Sequence, residues 1–103
     1  MINSKQRAFL RSLANSLDCL FQVGKGEITD QLARGLDEIL STHELLKINV
    51  LKSAELAPSE LAGRLAAAAG AEVIQVIGRR IVLYRHSEKL ARQGKDLQLP
   101  KGL

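Results

Sequence analysis

The chain has 103 residues, of which 46% are hydrophobic and 25% charged, and its net charge is +4. That is enough apolar material for one core, which excludes both a disordered segment and two independent domains. Phe9, Phe21 and Tyr84 are its only aromatic residues, too few for a surface that works by stacking many bases.

Cys19 is the single cysteine, so no disulfide forms within the chain, and it reads as a small buried hydrophobe. The N-terminus lacks the apolar stretch of a secretion signal, and no apolar run approaches the length of a membrane span. The expectation is a soluble cytoplasmic protein with no membrane partner.

Residues 4 to about 16 read as a helix. Phe9, Leu10, Leu13, Ala14 and Leu17 recur at helical spacing behind Ser4, a residue type suited to an N-cap. Residues 19–23 form a short apolar run that stops at Gly24, as a buried strand does. After the tight loop 24–27, Thr29 can cap a helix whose apolar face is Ile28, Leu32, Leu36, Ile39 and Leu40, ending near Thr42. Gly35 inside it costs helix stability, which points to close packing against a neighbour. Residues 46–50 alternate as a half-buried strand. Pro58 opens a third helix, lined by Leu61, Leu65, Ala68 and Ala69, and Gly70 stops it. Residues 73–77 and 81–85 are two strands around Gly78-Arg79-Arg80, a hairpin with a basic tip. Beyond Arg85 the chain turns polar; it can begin as a short helix before a flexible tail. The order αβαβαββ implies an α/β domain, a four-stranded mixed sheet with three helices.

Charge is segregated along the chain. Residues 1–25 hold Lys5, Arg7, Arg11 and Lys25 against Asp18 alone. Residues 78–103 hold Arg79, Arg80, Arg85, Lys89, Arg92, Lys95 and Lys101 against Glu88 and Asp96. The middle carries twice as many acids as bases. If the two ends meet in the fold, they make one positive face that attracts polyanions.

The sharpest local feature is Gly24-Lys25-Gly26-Glu27, between a strand and a helix. Glycines there let backbone N–H groups approach a phosphate, the helix terminus adds a favourable dipole, and Lys25 adds charge. It is neither a Walker loop nor a dinucleotide fingerprint. His43 and His86 lack metal-ligand spacing, no Ser stands in a nucleophile elbow, and adjacent Asp37 and Glu38 point apart on their helix. These absences point away from an enzyme, a metal and a cofactor.

The stretches Lys5-Gln6-Arg7 leading to Leu10, Phe21-Gln22-Val23-Gly24-Lys25-Gly26, His43-Glu44-Leu45-Leu46-Lys47-Ile48, Gln75-Val76-Ile77-Gly78 and Ile81-Val82-Leu83-Tyr84-Arg85 together resemble the CRM domain. The nearest form is its stand-alone bacterial version, the YhbY-like RNA-binding proteins. The resemblance spans residues 4–86. It implies a fold like the C-terminal domain of a bacterial translation initiation factor, and RNA binding linked to large-subunit precursors of the ribosome. The family's loop after the first strand is a GxxG that clamps a nucleic-acid backbone, as in KH domains. Gly24 matches its first glycine, but Glu27 stands where the second is expected, with Gly26 one position earlier.

The expectation is therefore a CRM-like RNA-binding domain over 1–92 and a polar, flexible tail over 93–103. Its partner would be structured RNA, ribosomal RNA in large-subunit precursors, bound by a monomer with no small-molecule substrate. The expected contacts are Lys5, Arg7 and Arg11 on the first helix, Gly24, Lys25 and Gly26 in the loop, and Arg79, Arg80 and Arg85 around the hairpin. The alternative is a protein-interaction module that binds a ribosomal protein or assembly factor through its acidic middle.

Overall fold

The computed structural model describes residues 2–26 and 28–100. The elements are α1 (Ser4–Ala14), β1 (Phe21–Val23), α2 (Asp30–His43), β2 (Leu45–Val50), α3 (Pro58–Ala69), β3 (Glu72–Ile77), β4 (Arg80–Tyr84) and a short α4 (Glu88–Arg92). The sheet order is β1-β2-β4-β3, with β1 parallel to β2 and the other neighbours antiparallel. The mixed four-stranded α/β fold expected from the sequence is the fold observed. β4 inserts between β2 and β3, so the hairpin's second strand occupies the centre.

The period-2 alternation of the strands divides the apolar residues between two faces. On one face Leu46, Ile48, Val50, Ile81 and Leu83 meet Leu36 and Leu40 of α2 and Leu61 and Leu65 of α3. The fully buried Leu10, Leu36, Leu40, Leu46, Ile48, Leu65, Ile81 and Leu83 each contribute roughly 1.5–3 kcal/mol of burial. On the other face Leu45, Ile74, Val82 and Tyr84 meet Leu10 and Ala14 of α1. Gly35 sits against Phe21: a Cβ there would lie 3.3 Å from the Phe21 ring, so its absence lets α2 approach β1.

Several local details differ from the sequence reading. Asn3, not Ser4, caps α1: its side chain accepts from Gln6 N while the Gln6 side chain accepts from Asn3 N. β1 starts at Phe21, because parallel pairing begins at Phe21 opposite Ile48 and leaves Leu20 55% exposed. Arg80 belongs to β4, paired with Ile77, so the hairpin turn is Gly78-Arg79 alone. Gly78 supplies the positive φ, +55°, that such a short turn demands. Gly70 stops α3 in the left-handed conformation, as expected.

Glu44 joins α2 to β2 without a loop, at φ +63°. That unusual backbone for a non-glycine turns its side chain inward, where it is fully buried. One carboxylate oxygen accepts from Ser87 N at 2.7 Å and the other from Leu97 N at 2.6 Å, while His86 Nδ1 stands 3.1 Å away. The segment from residue 93, expected as a flexible tail, makes further contacts. Leu97 and Leu99 pack with Ile2 on the α1 cluster, and Gln6 Nε2 donates to Pro100 O. Residues 101–103 lie outside the described residues.

Candidate nucleic-acid interface

Strand register brings three segments to one end of the sheet. Val23 and Val50 are paired at the exits of parallel β1 and β2, so residues 24–26 and the loop 51–57 leave side by side. Asn49 pairs with Arg80, and Arg80 with Ile77, which places the Gly78-Arg79 turn next to them. Backbone bonds join the group: Leu51 N donates to Val23 O and Val50 N donates to Arg79 O, both at 2.8 Å.

The two glycines of the first loop serve different purposes. A Cβ on Gly24 would stand 2.9 Å from Ser53 Oγ and 3.2 Å from Leu51 Cδ1, so Gly24 permits close approach to the β2 exit. Gly26 has open space around it but adopts φ +118°, a conformation that side-chain-bearing residues rarely hold. Lys25 between them is exposed. Glu27, the departure from the family's loop, lies outside the described residues. Thr29 caps α2 by accepting from Leu32 N at 3.1 Å, so the loop offers its own amides and Lys25 more than a bare helix terminus.

Further cations converge here. The Arg79 guanidinium donates to Leu51 O at 3.3 Å, and that of Arg80 donates to Asn49 Oδ1. Lys52, in the second loop, is exposed. Arg64 on α3 lines a cleft beside the glycine loop, paired with Glu60 at 3.3 Å. Arg11 is exposed in the last turn of α1, the turn nearest this end: Ala14 and Asn15 line a hollow with Ile77 and Arg80.

Lys5, Arg7 and Arg85 are not brought here. Register puts Leu45, Tyr84 and Glu72 at the opposite end of the sheet. Lys5 is exposed in the first turn of α1, which lies at that end. Arg7 donates to Val73 O at 2.6 Å and Ile74 O at 3.3 Å, and pairs with Glu72 at 4.0 Å. Arg85 donates to Asp37 Oδ1 at 2.7 Å, Ala69 O at 2.8 Å, Ser41 Oγ at 2.9 Å and Asp37 O at 3.0 Å. Its guanidinium joins α2 to the end of α3 and has little capacity left for phosphate. The chain ends do meet, but through Ile2, Leu97 and Leu99, with Lys5, Arg7 and Arg85 at one end of the sheet and Lys25, Arg79 and Arg80 at the other. The expected single positive face is accordingly replaced by a basic cluster at the hairpin end.

Lys52 and Arg64 were missed because the middle of the chain reads as acidic overall. The available signal was topological: parallel neighbours put their C-terminal loops side by side, so a cation just after β2 joins one just after β1. His43 ends α2, with Nδ1 2.8 Å from Thr42 Oγ1. Glu44, His86 and Asp96 place potential ligand atoms within 4.8 Å of one another. Both Glu44 oxygens are already engaged by backbone N–H groups, which makes the group a tie for the C-terminal segment.

Comparison with known proteins decides the family. The model of the CRS1 / YhbY (CRM) domain matches residues 2–85. The chain belongs to the CRM domain family. Among CRM-domain relatives, the "Probable RNA-binding protein YqeI" of Bacillus subtilis is 37% identical over 97% of this chain and 100% of its own length. An "RNA-binding protein" of Haemophilus influenzae is 28% identical, covering 97% of this chain and 96% of its own. The solution structure of the hypothetical protein SAV1595 from Staphylococcus aureus superposes with a TM-score of 0.76 at 39% identity. It covers 97% of this chain and 100% of that one. No helix among the described residues of this CRM domain is long and apolar enough to cross a membrane.

Proposed function

We propose that this CRM-domain chain binds structured RNA through the hairpin end of its sheet, and that its target is ribosomal RNA in large-subunit precursors. The observation that carries the reading is the convergence of Lys25, Lys52, Arg79 and Arg80 around the Gly24-Lys25-Gly26 loop. Loop amides and exposed cations at one end of the sheet suit a phosphate backbone, which positions RNA and makes affinity salt-dependent. The RNA-binding names of the relatives support the same partner. The large-subunit target rests on the sequence resemblance, and the chain acts as a binding protein without a reaction of its own.

The test is affinity for ribosomal RNA fragments as salt is raised, for the wild type and for Lys25→Glu. The expected result is a steep loss with salt, roughly tenfold weaker binding by the variant and a salt slope shallower by about one. Affinity indifferent to salt and to the substitution overturns direct RNA binding. Co-sedimentation with large-subunit precursors tests the ribosomal target separately.

A further inference from the structure

A cleft of about 540 Å³ opens beside the glycine loop, between Gly24, Lys25, Gly26 and Ile28 on one side and the 51–57 loop and the flank of α3 on the other. Its apolar lining is Ile28, Ala54, Leu56 and Leu61, and its polar rim is Lys25, Glu55 and Arg64. Contact with the phosphates of a duplex uses only the rim: a phosphate gains nothing from four aliphatic side chains. A nucleobase matches both parts, because its faces are apolar and its edge carries donors and acceptors.

We propose that this cleft takes one unpaired nucleotide of the bound RNA, and that it favours a base with an exocyclic amine over uracil. The inference rests on the RNA-binding reading above and adds a second mode of recognition to it. Bases within an A-form helix present little to a protein, whereas a bulged or looped base can be splayed into a recess. Lys25, continuous with the phosphate-binding end, meets the nucleotide's phosphate. Glu55 is exposed and acceptor-only when ionised, so it pairs with an amine. Arg64 donates to the adjacent ring nitrogen or carbonyl. Its existing partner is Glu60, in an exposed i,i+4 pair, and such weak pairs rearrange readily. Uracil offers Glu55 only its single ring N–H, flanked on both sides by carbonyl oxygens that repel the carboxylate.

The experiment compares three RNA hairpins: one with a single bulged adenosine, one with a bulged uridine, and one fully paired. Each is titrated with the wild type, Ala54→Phe, which fills the cleft, and Glu55→Gln, an exposed rim change that leaves the core untouched. The wild type is expected to bind the bulged adenosine hairpin roughly tenfold more tightly than the paired one, with uridine in between. Ala54→Phe removes the advantage of the bulge and keeps the affinity for the paired hairpin. Glu55→Gln narrows the gap between adenosine and uridine even if Ala54→Phe fails to fold. Equal wild-type affinity for bulged and paired hairpins overturns the cleft proposal while leaving phosphate binding standing. So does a bulge preference that Ala54→Phe retains, the result expected if the cleft holds a peptide instead. Failure to bind any hairpin at any salt overturns both readings.

Discussion

The backbone N–H of Leu97 donates to the carboxylate of Glu44, fifty-three residues earlier, at 2.6 Å. Glu44 is fully buried and its other oxygen accepts from Ser87 N. A buried carboxylate is costly unless its oxygens are satisfied, and two backbone donors with His86 alongside satisfy it. One side chain thus holds the beginning of α4 and the segment after it against the α2–β2 junction. Glu44→Ala leaves two amides without their acceptor. The expected cost is about 3 kcal/mol in urea denaturation, with faster hydrogen exchange at Leu97. An unchanged denaturation midpoint would show that the C-terminal segment contributes nothing to stability.

Arg85 tests the distinction between cations committed inside the protein and those of the proposed RNA interface. Its guanidinium is committed to Asp37, Ser41 and Ala69. Arg85→Ala is expected to lose about 2 kcal/mol of stability while changing RNA affinity less than about twofold at equal folded fraction. Arg79→Ala should show the reverse pattern. Denaturation curves beside salt-controlled RNA titrations decide it, and a large affinity loss for folded Arg85→Ala would return that residue to the interface.

Two glycines give opposite outcomes on substitution. Gly63 lies exposed within α3, with open space where a Cβ would be and a helical backbone. Gly63→Ala should therefore stabilise the protein by about 0.5–1 kcal/mol. Gly26→Ala should destabilise it by about 1–2 kcal/mol, because φ +118° is strained for alanine. Thermal melts of the two variants check both signs.

Tyr84 is the chain's one tyrosine, so its phenolate absorbance reports a single site. Burial pushes its pKa above 10.0, and the neighbouring carboxylates of Glu44, Asp96 and Glu72 push it the same way. The folded state keeps the phenol protonated where the unfolded chain has begun to ionise. Its contribution to stability is complete below pH 10 and is lost as pH rises through 10 toward the folded value, by at most about 1.4 kcal/mol per pH unit. A phenolate titration with the same midpoint in buffer and in urea would contradict this placement.

The local elements and the core were legible in the sequence because they depend on near neighbours along the chain. Helical and alternating periodicities marked α1 to β4, and Gly70 and Gly78 marked where α3 stops and the hairpin turns. Gly35 announced a close contact without naming Phe21. The loop at 24–26 was legible for the same reason, since strand, glycines and helix follow one another directly. What only the tertiary structure decided is which distant groups meet. Insertion of β4 between β2 and β3 set Arg79 and Arg80 at the β2 exit, and parallel pairing of β1 with β2 put Lys52 beside the Lys25 loop. The same register carried Arg85 to the opposite end, where Asp37 and Ala69 O claim it. Net charge along a chain is a sum over residues, whereas a binding surface depends on strand order and on which cations already have partners inside the protein.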